Sequence, residues 1–115
     1  MQIRKTYKEV NPELLFKEIK DFAQKQGVTV DESKLETYSL PNDSSSFLSR
    51  GTLTFNISSE SGNEKECIRA HIVGSAKAET KLMLDIDEKL ISQEKITALQ
   101  DDLDFIFSSY EVKPS

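Results

Sequence analysis

At 115 residues and 13.0 kDa the chain has the length of one domain, which at this size buries roughly 60 to 70% of its unfolded surface. Its 37% apolar and 30% charged residues are the composition of an ordinary soluble protein and exclude a wholly disordered one. Lys and Arg number 15 against 20 Asp and Glu, and the formal charge of -5 argues against a phosphate-backbone footprint and so against nucleic acid as partner.

Ile3, Tyr7 and Val10 predict a short first strand. No apolar stretch follows Arg4 and Lys5, and the longest aliphatic run in the centre of the chain is Leu82-Met83-Leu84, so neither a secretory leader nor a membrane span is expected. Asn11-Pro12-Glu13 then opens a helix with a capping side chain, a ring whose fixed φ suits the first turn, and an acid at the positive end of the dipole. Leu15, Ile19, Phe22 and Ala23 form its apolar stripe, and Gly27 stops it, giving a helix over about 12 to 26. Val28, Val30, Leu35, Tyr38 and Leu40 predict a second strand bent at Asp31-Glu32-Ser33-Lys34. The polar cluster over 40–46 reads as a mobile loop.

The period then changes to two. Phe47, Ser49, Gly51, Leu53, Phe55 and Ile57 alternate with Leu48, Arg50, Thr52, Thr54 and Asn56, a mostly apolar against a mostly polar face and the mark of a half-buried antiparallel strand, and the cluster over 58–63 is a hairpin loop. Ile68, Ala70 and Ile72 define the next strand, and Leu82, Leu84 and Ile86 the one after it. Centring their hairpin on Ser75 pairs Ala70 with Thr80 and Ile68 with Leu82, keeps both apolar sets on one face, and sets His71 opposite Glu79 and Arg69 opposite Lys81. After Ser92 a second helix carries Ile96, Leu99, Leu103, Ile106 and Tyr110 as its stripe, with Phe107 flanking it. The expected organisation is one domain over residues 1–111 and a frayed tail over 112–115.

The expected fold is therefore α+β, in the order β-α-β-β-β-β-α, an antiparallel sheet of about five strands with two amphipathic helices on one face. That order resembles a compact helix-grip arrangement, in which a curved sheet wraps a C-terminal helix. The resemblance is one of architecture alone, and it implies a ligand held between sheet and helix.

Few residues point to chemistry. Cys67 and His71, four apart on one strand, have Cα atoms about 13 Å apart and make no dyad, so Cys67 reads as a half-exposed structural residue. As the lone cysteine it fits a reducing cytoplasm. His71 with Glu79 is the one candidate acid–base pair. Asp85 and Asp87 share a strand face without a calcium loop, so no metal is expected, and no cofactor motif is present. Gly51 and Ser49 remove side-chain volume from the apolar face, which leaves either a hollow or a bend filled by Phe16, Phe22 or Phe105. Arg50 and Arg69 lie on the opposite face and make a basic spot if neighbouring strands align them.

These readings favour a non-enzymatic binding or adaptor domain. It would take a protein partner on the outer sheet face around Arg50, Thr52, Arg69 and His71, or a small apolar ligand over Gly51 between sheet and second helix. A small hydrolase or isomerase using His71 and Glu79 is the alternative. The chain is expected to be a monomer, or a homodimer through a sheet edge or through Leu48, Val73 and Met83.

Overall fold

Each helix begins where a side chain takes over a backbone donor that the first turn leaves free. The Asn11 side-chain oxygen accepts from the Glu13 N–H at 2.8 Å, and α1 runs Pro12–Lys25 until Gly27, at φ 91, turns the chain. Ser92 Oγ accepts from the Lys95 N–H at 3.3 Å and opens α2, Gln93–Phe107. The strands are β1 (Gln2–Lys8), β2 (Thr29–Leu40), β3 (Asp43–Ser58), β4 (Glu64–Gly74) and β5 (Glu79–Ile86). The computed structural model describes residues 1–40, 43–58, 60–75 and 79–112, without the side chains of residues 40 and 43–46.

The five strands form one antiparallel sheet in the order β1-β5-β4-β3-β2, and the element order is the expected one. Leu15, Phe16, Ile19, Phe22 and Ala23 of α1 and Ile96, Leu99, Leu103 and Phe107 of α2 are buried against Leu53, Phe55, Ile68, Ile72, Leu82 and Leu84 of the sheet. Each such leucine, isoleucine or phenylalanine contributes about 1.5 to 3 kcal/mol, so this single layer of helices holds the fold. Among the described residues no helix is long and apolar enough to cross a membrane.

The stripe of α2 ends differently from the expected one. Phe107 is buried four residues after Leu103 and packs at a tilt against Tyr7, with ring centroids 5.7 Å apart. Ile106 and Tyr110 are 40% and 46% exposed. The helix closes at Phe107 into a 3-10 turn, Ser108–Tyr110, which carries Tyr110 off the stripe. Beyond it the chain does not fray at once: the Val112 N–H donates to Thr6 O at 2.7 Å and Glu111 bridges to Tyr7 beside β1. The rest of the expected tail, 113–115, lies outside the described residues.

The β4–β5 register also differs. Ala70 faces Leu84, Ile72 faces Leu82 and Gly74 faces Thr80, four residues from the expected pairing, so the strands are not paired about Ser75. An even shift keeps the same apolar face inward, so the pattern alone does not choose between the two registers. Charge and volume do choose. Arg69 now faces Asp85 and not Lys81, and Gly74 lies where a Cβ would stand 2.5 Å from Thr80 Cα.

Two bulges refine the strands. Asp31 is the extra residue between Val30 and Glu32, the bend expected there, and Thr54 Oγ1 accepts from the Glu32 N–H at 3.0 Å. Opposite Phe55 and Asn56, β4 uses Ile68 and Glu66, so Cys67 is the extra residue and is 2% exposed, not half-exposed. Its thiol donates to Phe55 O at 3.4 Å, and burial pushes its pKa up. Most of the loop expected over 40–46 is strand: β2 runs to Leu40 and β3 starts at Asp43. Since β3 pairs with β4 only from Ser49 onward among the described residues, the far ends of β2 and β3 form a two-stranded arm on a molecule 52 × 29 × 19 Å.

Candidate functional site

One face of the sheet is filled by helices; the other is bare. The registers arrange this outer face in rows. One crosses Arg4, Met83, His71, Thr52 and Lys34, and the next crosses Thr6, Lys81, Val73, Arg50 and Glu36. Arg4, Thr6, His71, Val73, Lys81 and Met83 line a shallow depression of about 560 Å³. Its floor is the half-buried Met83 and Val73.

The charge of these two rows runs against that of the chain. With His71 neutral they hold four cations and one carboxylate, a surplus of three positive charges on a protein of formal charge -5. The carboxylate, Glu36, is engaged by Lys34 at 3.0 Å, and that contact raises the Lys34 pKa. Arg4 donates to Gln2 Oε1 at 2.9 Å, and among the described residues neither Arg4, Arg50 nor Lys81 has an ion-pair partner. An exposed cation without a partner costs less to bring against an anion than a paired one, which must first release its carboxylate.

The residues expected to act are placed as follows. Arg50 faces Val73, while Arg69 faces Thr54 and Asp85, four residues along the strands or about 13 Å away. They form no joint spot. Arg69 is instead held by Glu66 at 2.9 Å, which raises its pKa. His71 faces Met83 and Thr52, and Glu79 faces Lys8 on β1, so the expected His71–Glu79 pair is not formed. The register difference separates them, and with it goes the geometry on which the hydrolase or isomerase reading rested.

Gly51 is buried beneath α1, with its Cβ position 2.6 Å from Phe16 Cδ2. Phe16 thus occupies the hollow that the sequence left open there, and α1, not α2, supplies the cover. Phe105, another expected filler, is 91% exposed. Asp85 accepts from Gln2 Nε2 at 3.0 Å and Asp87 accepts from the Lys89 N–H at 2.9 Å. Among the described residues no cluster of three His, Cys, Asp or Glu side chains is placed to hold a metal.

Strand parity made Val73 and Met83 legible as outer-face apolar residues. Arg4 and Lys81 were missed as their neighbours because only the register brings them beside Met83 and Val73. The chain matches no protein-family model, no curated protein and no solved structure, so the helix-grip likeness stands on element order alone.

Proposed function

We propose that this is a small non-enzymatic binding domain that takes a protein partner on its outer sheet face. The observation that carries the reading is the bare face itself, apolar at Val73 and Met83 and ringed by unpaired cations on an acidic chain. An antiparallel sheet commonly leaves one face to water, and what favours a partner here is the apolar pair Val73 and Met83 set among cations at the centre of that face. The small-ligand version has less support, since Phe16 fills the space over Gly51. A reducing cytoplasm is the compartment proposed, on the strength of one buried, unpaired cysteine.

Site-specific photo-crosslinking tests the reading in cells. A photoreactive residue at Met83 or Val73 is expected to give one discrete protein adduct, and the same residue at Glu60, in the loop at the far end of β3, none. Equal labelling from all three positions, or none from the sheet face, would contradict it.

A further inference from the structure

We infer that the element this face takes is an acidic amphipathic helix of the partner, an inference that rests on the outer face being a partner-binding surface. The registers draw a diagonal stripe across four strands: Arg4 on β1, Met83 on β5, Val73 on β4 and Arg50 on β3. The stripe is cation, apolar, apolar, cation, with Lys81 and His71 beside its centre.

Charge restricts the occupant first. A two-fold dimer through this face would bring two patches of the same positive sign together, Arg4, Arg50 and Lys81 of one copy against those of the other, which opposes self-association and favours a carboxylate-bearing partner. The backbone restricts it further. Ladder hydrogen bonds lie in the plane of the sheet, so an extended segment lying on the face would leave its own N–H and C=O groups unpaired over Met83 and Val73. A helix arrives with those groups already bonded.

Spacing then fits a helix. Diagonal neighbours on adjacent strands stand about 7 Å apart, within reach of two apolar side chains one helical turn apart at about 5 to 6 Å. From Arg4 to Arg50 the stripe covers about 16 Å, three strand spacings and a two-residue offset, which is about eleven residues of helix. The matching segment carries carboxylates at its first and twelfth positions and apolar residues at the fifth and ninth, all on one helix face.

The test uses three probes at about 50 mM salt, where screening still leaves surface charges effective. They are a synthetic helical peptide of about 16 residues with that pattern, its counterpart with lysine for each carboxylate, and phosphatidylcholine vesicles containing phosphatidylserine. Amide spectra of the full chain are expected to shift at Arg4, Arg50, Val73 and Met83 with the acidic peptide. The double variant Arg4→Glu/Arg50→Glu, with its fold checked by circular dichroism, should weaken the acidic peptide about tenfold or more and bind the lysine peptide instead. Equal shifts at this face with both peptides would overturn the acidic-helix inference while leaving a binding face. Binding of the vesicles but not the peptide would overturn it in favour of a lipid surface. No shift at this face with any probe at about 1 mM would overturn the acidic-helix inference, and the absence of crosslinks from Met83 and Val73 as well would overturn the reading beneath it.

Discussion

Gly51 and Gly74 are each set by what stands opposite them. A Cβ on Gly51 would meet Phe16 Cδ2 at 2.6 Å, a ring that can tilt, whereas one on Gly74 would meet Thr80 Cα at 2.5 Å, backbone held on both sides. Gly51→Ala is therefore expected to cost about 1 to 2 kcal/mol and Gly74→Ala about 3 or more, as overpacking does. Urea unfolding measures both, and the reverse order would refute the β4–β5 register. Tyr7 gives a pH signature. Its hydroxyl is buried without a hydrogen-bond partner among the described residues, and burial, then Glu111 and Asp104, push its pKa far above the ordinary 10.0. The folded state thus resists the tyrosinate more than the unfolded chain does. The stability tied to Tyr7 is complete below pH 10.0 and falls as pH rises above it. Tyr7→Phe should remove that alkaline loss and leave neutral-pH stability unchanged or higher by up to about 1 kcal/mol, read from unfolding midpoints across pH. Cys67, buried in a bulge, is expected to resist alkylation in the native protein and to react on unfolding.

The helices were the most legible elements, because a cap, a stripe and a stop are each written in adjacent residues: Asn11, Leu15 with Ile19, and Gly27 for α1. The C-terminal end of α2 was less so. Ile106 and Phe107 both sit near the stripe, and only the packing of Phe107 on Tyr7 shows which one turns inward. Phe107→Ala is expected to cost about 3 to 5 kcal/mol, and Phe105→Ala, a few ångströms along the same helix but exposed, no more than about 0.5. Thermal melts of the pair check this. The hairpin of β4 and β5 was legible as a hairpin but not in register, since a shift by four residues buries the same faces. Cross-strand charge and the close approach at Gly74 lie outside a period-two pattern.

At the scale of the molecule, element order and the one-sided helix layer followed from the sequence, because alternation and amphipathic stripes say which face each element buries. The candidate site was legible only in pieces. Arg50, Arg69 and His71 were placed on the right face, but the residues that meet across it depend on three registers at once, which bring Arg4 and Lys81 to the apolar centre and leave Arg69 with Glu66. On a chain with twenty acidic residues, the two central rows of the uncovered face carry four cations and one carboxylate, and this surplus is what the proposed anionic partner would meet. The most direct measurement is native mass spectrometry of the protein isolated at low expression from its own cells, beside the same sample denatured and beside the variant Arg50→Glu/Lys81→Glu. One protein partner bound to the natural chain and lost from the folded variant, with no small molecule released on denaturation, is the expected result. A small non-covalent mass released on denaturation, or a partner that the variant retains, would contradict the account.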